Sequence, residues 1–200
     1  MTIEDFMQNM LEDLRISSTS ELSDIQTEFV KYVVDILIDA EEFDDFVYGY
    51  FEGVGERNKK LQMDGYYFDQ YDKSCVILIS DFSNGENIET LTATEIDRLY
   101  GNMRSLVESC INGYILKKGF EETSNGYSLA KDLENELGEL TKFRFYIITN
   151  KKLSSRVKNI KKENIANKPV ELNVWDITRL YNIFTSKIGK ESKEIDFLKT

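Results

Sequence analysis

Two aspartates and a glutamate are the side chains of this sequence best suited to do chemistry. Asp64 lies in Leu61-Gln-Met-Asp-Gly-Tyr-Tyr-Phe-Asp69, Asp81 closes the run Cys75-Val-Ile-Leu-Ile-Ser-Asp81 before Phe82, and Glu28 belongs to a helical stretch upstream of both. With a shifted strand register, Asp64 and Asp81 would share one Mg²⁺ or Mn²⁺ and Glu28 would add a third oxygen, the ligand set that hard cations prefer. A lysine such as Lys60 or Lys73 would then have to reach the site to steady the charge that develops during hydrolysis. Simpler roles compete with these and are preferred. Asp64 precedes a glycine suited to close strand packing, Asp81 can accept backbone N–H bonds from Ser83 and Asn84 in an Asx-type turn, and Glu28 lies one turn from Lys31 on a solvated helix face. Asp69 is read as turn chemistry.

Other catalytic chemistries are closed off by composition. The chain has no histidine, which excludes His-based triads, His-Cys zinc sites and imidazole bases. Cys75 and Cys110 stand in apolar surroundings and outside any CxxC spacing, as expected of buried thiols in a reducing compartment. No stretch approaches the roughly eighteen uncharged apolar residues that would span a bilayer, and the amino terminus is acidic, so a cytoplasmic location is expected.

Charge is distributed unevenly. Residues 1–100 carry 23 acids against 7 bases, a net of −16, whereas 151–200 carry 6 acids against 12 bases, a net of +6. Within the second region, Lys151, Lys152, Arg156, Lys158, Lys161 and Lys162 form a run of bases without an acid. With Leu153, Val157 and Ile160 as its apolar stripe, this run reads as a basic helix or a loop. Its exposed face is expected to be simply solvated, with contact to phosphates or to an acidic protein as the alternative.

The elements that must position these residues follow from periodicity. Helical spacing runs from Ile3 to Leu14, and Ile16-Ser-Ser-Thr-Ser20 is expected to break it. A second helix begins near Glu21 with Ile25, Phe29, Val30, Val33, Val34, Leu37 and Ile38 on its buried face. The acidic, aromatic segment Ala40 to Phe51 reads as a further helix that ends at Gly49, Gly53 and Gly55. Residues 61–69 and 75–82 form a hairpin whose second strand is apolar on both faces and so central in a sheet. Helices over Thr94–Asn112 and Leu129–Leu140, strands over Phe143–Thr149 and Val170–Trp175, and a helix from Ile177 to Ile188 capped by Asp176 complete an α/β sandwich. Arg179 is available to pair with an acid of the first half. A single domain of 1–200 is expected, mainly helical over 1–56 and α/β over 57–200.

The ordered set Leu61–Asp69, Leu78-Ile-Ser-Asp-Phe82, Phe145-Tyr-Ile-Ile-Thr-Asn150 and Val174-Trp-Asp-Ile-Thr-Arg-Leu-Tyr181 resembles the amino-terminal region of the abortive infection phage resistance family. The resemblance covers most of residues 20–198. It implies a restriction-endonuclease-like sandwich with a mixed central sheet and an N-terminal helical segment, within a longer phage-defence protein. Nucleases of that fold carry one acid on the first hairpin strand and an Asp/Glu-x-Lys triplet on the next. Asp64 matches the first acid, but the triplet falls on Ile79-Ser80-Asp81, where Ile79 cannot hold a cation and Asp81 has the wrong sign. The resemblance therefore implies a degenerate nuclease-like recognition or assembly domain, with no cofactor. Its partner would be another protein or a second copy, with nucleic acid at the basic run as a further option. The alternative is an active Mg²⁺- or Mn²⁺-dependent nuclease using Asp64 and Asp81.

Overall fold

A computed structural model describes residues 1–157 and 163–194. Helix α1 (Ile3–Glu21) opens with a capping box in which Thr2 and Asp5 bond each other's backbone N–H. It continues through the serine-rich stretch expected to break it. The hydroxyls of Ser18 and Thr19 bond back to Arg15 O, and that of Ser20 to Ser17 O, so the polar residues are satisfied within the helix. Asp24 then caps α2 (Ile25–Asp39). The expected third helix is a strand instead, β1 (Val47–Val54). Val47, Tyr48, Tyr50 and Phe51 favour the pleated conformation, and Phe43 and Phe46 anchor the approach to it in the core.

Strands β2 (Lys60–Asp69) and β3 (Ser74–Asp81) form the expected hairpin, and Asp69 accepts backbone N–H bonds from Tyr71 and Asp72 in the turn. After β4 (Thr90–Leu91) come α3 (Ala93–Ile111), the short α4 (Tyr114–Lys117) and α5 (Asn125–Glu136). Then follow β5 (Lys142–Thr149), β6 (Lys152–Leu153), β7 (Glu163–Ile165), β8 (Lys168–Trp175) and α6 (Ile177–Glu194). The strand β7 had no periodicity to betray it. It pairs with β8 across the two-residue turn Ala166-Asn167, both at positive φ, the geometry of a tight hairpin built without the usual glycine.

The sheet runs β1-β2-β3-β5-β8-β7, antiparallel at both edges and parallel through β3, β5 and β8. Alternation along the central strands divides the core into two layers. Val76, Leu78, Tyr146 and Ile148 face α1, α2 and α6, whereas Cys75, Ile77, Ile79, Phe143, Phe145 and Ile147 face α3 and α5. Both cysteines are buried and unpaired. Among the described residues no helix is long and apolar enough to cross a membrane.

Candidate functional site

Gly65 fixes the geometry around Asp64. A Cβ at this position would lie 2.5 Å from Val47 O and 2.4 Å from the Phe46 ring, so β1 and β2 approach closely only because the side chain is missing. Opposite it, the β1 register slips between Tyr48 and Phe51. Along β2, Leu61 and Met63 belong to the α3/α5 layer, and so do Tyr66 and Phe68, which means the strand changes faces across Asp64-Gly65. This irregularity turns Asp64 toward the start of α2.

There the Asp64 carboxylate is 6% exposed and accepts the Ser80 N–H at 2.6 Å. Burial raises its pKa, the Ser80 amide and hydroxyl oppose that rise, and the charge of Asp24 adds to it. The Gln26 amide donates to Ser80 Oγ at 2.9 Å. Asp64 lies at the base of a cleft of about 570 Å³ walled by Asp24, Gln26, Thr27, Tyr48, Tyr50 and Asn125. The residues of β3 on its face are Val76, Leu78 and Ser80, and just past the strand end comes Phe82, whose ring lies 5.0 Å from Phe29. Ile79 faces the other way, into the α3/α5 core.

Asp81 stands on the opposite face of the sheet from Asp64. Its carboxylate lies 2.8 Å from Lys151 Nζ and 3.6 Å from Arg98 on α3. The turn bonds expected of it go elsewhere: the Ser83 N–H donates to Asn150 Oδ1, and Asn150 Nδ2 returns a bond to Ser83 O. Glu28 is also apart. It is buried against Ser23 Oγ at 2.6 Å and Lys31 Nζ at 2.8 Å, bonds that lower its pKa, and it opens onto a hollow between α1 and α2. Lys60 pairs with Glu52 and Lys73 with Gln70. Among the described residues no group of three or more carboxylate or thiol side chains is arranged to hold a metal.

The carboxyl ends of β3, β5 and β8 carry a second constellation. Lys151 Nζ reaches Asp81, Glu95 at 3.2 Å and Glu89 at 3.8 Å. Burial works against its charge, but the bonds to Asp81 and Glu95 outweigh this and raise its pKa. Glu95, which completes the capping box of α3 with Thr92, is pushed down to about 2, chiefly by the Thr92 hydroxyl and amide. Asp176 caps α6 through Arg179 N and also accepts the Leu153 N–H. Three of the four segments that carry the family resemblance supply Asp81, Asn150 and Asp176 to this end of the sheet, and the fourth holds Asp64.

A family model described as the abortive infection phage resistance protein N-terminal domain matches residues 29–182. The chain belongs to this family. It is thus a domain of a phage-defence, abortive infection protein. No curated protein and no solved structure matches the chain.

In the abortive infection domain the three described bases of the run, Lys151, Lys152 and Arg156, do not share one face. Lys151 turns inward, Lys152 joins β6, whose Thr90 and Leu91 neighbours lie in β4, and Arg156 occupies an exposed turn. Lys158, Lys161 and Lys162 lie outside the described residues. Arg179 stacks on Trp175, 3.7 Å from the ring centroid, and donates to Val174 O. Sequence patterning missed Gln26, Ser80, Tyr48, Tyr50 and Asn125, which surround Asp64. The one readable clue was the even-numbered alternation Val76, Leu78, Ser80, which already sets Ser80 apart from Ile79. For the second network, Thr92-x-x-Glu95 was a legible capping signature.

Proposed function

We propose that this abortive infection domain is a restriction-endonuclease-like module that recognises or assembles with a partner and does not cut nucleic acid. The observation that carries the reading is the face of β3 opposite Asp64. A nuclease of this type needs a second acid and a lysine there; of the triplet Ile79-Ser80-Asp81 only Ser80 meets Asp64, and the next side chain on that face, just past the strand end, is Phe82. One carboxylate with a serine and an amide gives too little charge to hold Mg²⁺ or Mn²⁺ in place of its water shell. Asp81, the alternative ligand, is engaged on the other side of the sheet by Lys151 and Arg98. Polyanions meet an unfavourable field over the acidic first half of the chain, which favours a protein partner in the cytoplasm over DNA or RNA.

The test is cleavage of labelled single- and double-stranded DNA and RNA in Mg²⁺ and in Mn²⁺, with the intact chain and with Asp64→Ala. No cleavage by either protein is expected. Cleavage by the wild type that Asp64→Ala abolishes would establish a working nuclease site and overturn the proposal.

A further inference from the structure

The cleft above Asp64 has a chemical bias of its own that goes beyond the loss of cleavage. Among the described residues no lysine or arginine forms an ion pair with Asp64, although it is among the most buried acids of the chain. Lys31, the base on the cleft wall, is held by Glu28. Each amide on the cleft wall has turned its nitrogen toward a protein acceptor and commits one of its two N–H donors there. Gln26 Nε2 donates to Ser80 Oγ and Asn125 Nδ2 donates to Tyr50 O at 3.1 Å, which leaves their carbonyl oxygens as free acceptors. Asp24 adds negative charge at the mouth, with its oxygens bonded to Thr27 N and Thr27 Oγ1. Tyr48 and Tyr50 contribute half-exposed aromatic walls.

An acceptor-rich cleft with a buried, uncompensated carboxylate calls for a ligand that brings both charge and N–H donors. A divalent metal meets one available carboxylate. A guanidinium brings five N–H donors in a plane, is weakly hydrated and stacks on tyrosine. We propose that this cleft is a binding site for a guanidinium cation, with Asp64 as its counter-ion, Gln26 and Asn125 as acceptors and Tyr48 as a stacking wall. The volume of about 570 Å³ accommodates such a group with its aliphatic stem. Two sources share this chemistry, the arginine side chain of a partner protein and a free small guanidine.

The test is a titration of the ¹⁵N-labelled protein with agmatine and with acetyl-arginine amide, at constant ionic strength. Saturable shifts centred on the Ser80, Gln26 and Asn125 signals are expected, and Asp64→Asn should weaken binding at least about tenfold, since a charge-assisted bond is replaced by a neutral one. The carbonyl oxygen of the introduced asparagine would still accept the Ser80 N–H, and the half-exposed Tyr48→Ala offers a second variant whose binding should also weaken, with an amide spectrum unchanged away from the cleft as the check on its fold. Equal binding of both probes points to a partner's arginine, whereas binding of agmatine alone points to a free guanidine. Shifts scattered over surface acids, unchanged affinity in both variants, or displacement of agmatine by equimolar Mg²⁺ would overturn the proposal. Cleavage activity is a separate readout, so failure here leaves the non-cutting reading untouched.

Discussion

Lys151→Met removes one positive charge and keeps most of the aliphatic stem, which isolates the role of the ammonium group. In the wild type the Lys151 side chain is 12% exposed and its ammonium meets Asp81, whose side chain is 15% exposed, at 2.8 Å. Breaking such a buried pair costs about 3–5 kcal/mol; Arg98 at 3.6 Å still offsets part of the Asp81 charge, and the more exposed Glu95 and Glu89 add little because water screens them, so the low end, about 3 kcal/mol, is expected. For a chain of this size each kcal/mol moves the melting temperature by about 2–4 °C, so a fall of about 6–12 °C should follow at neutral pH. The single tryptophan, Trp175, is buried beside the network and reports the transition by fluorescence. The pH dependence has a definite sign. Lys151 has its pKa raised, so its contribution is complete below the ordinary 10.5 and is lost as pH rises through the folded value. Glu95 is lowered, so its share is present above the ordinary 4.5 and is lost as pH falls toward about 2. The Glu95 share comes chiefly from Thr92 and is common to both proteins, so the gap between wild type and variant should be full below about pH 10 and close as pH rises through the folded value of Lys151. Asp81→Asn combined with Lys151→Met should cost less than the two single changes added. A melting temperature within about 2 °C of wild type, the size expected for the exposed neighbour Lys152→Met, would refute the view that Lys151 ties the strand ends together.

Asp64→Asn should stabilise the fold at neutral pH, because the ionised carboxylate is held against burial. Its folded pKa is raised, so the penalty is present above that value and vanishes below the ordinary 3.8; urea midpoints that show no gain at pH 7, or an undiminished gain at pH 3, would contradict this. Gly65→Ala should cost about 2–3 kcal/mol or more, because the added methyl meets the Val47 carbonyl oxygen as well as the Phe46 ring; a urea midpoint equal to wild type would show that β1 can give way there.

Much of the architecture was legible because local chemistry and tertiary demand agree. The hairpin of β2 and β3, the buried run Val76-Ile-Leu-Ile79, the helix α3 and the Asp176 cap all stand where apolar period, turn residues and capping residues put them. Where the two levels disagree, tertiary structure won. The serine-rich end of α1 stays helical because hydroxyls can bond the preceding turn as readily as they can break it. The segment before Phe51 becomes a strand because β2 offers it a ladder that a count of acids and aromatics cannot reveal.

The sequence by itself determined which side chains were available: no histidine, an acid at 64, an acid at 81, and no lysine in the triplet between and after them. It could not determine which of these face one another. A strand repeats every two residues, so a single irregularity at Asp64-Gly65 transfers a carboxylate from one layer of the sandwich to the other. Only the folded sheet decides that Asp64 meets Ser80 and the start of α2, while Asp81 meets Lys151 from a strand end 70 residues away. Those partners are distant in sequence, and it is packing between layers that brings their charges together.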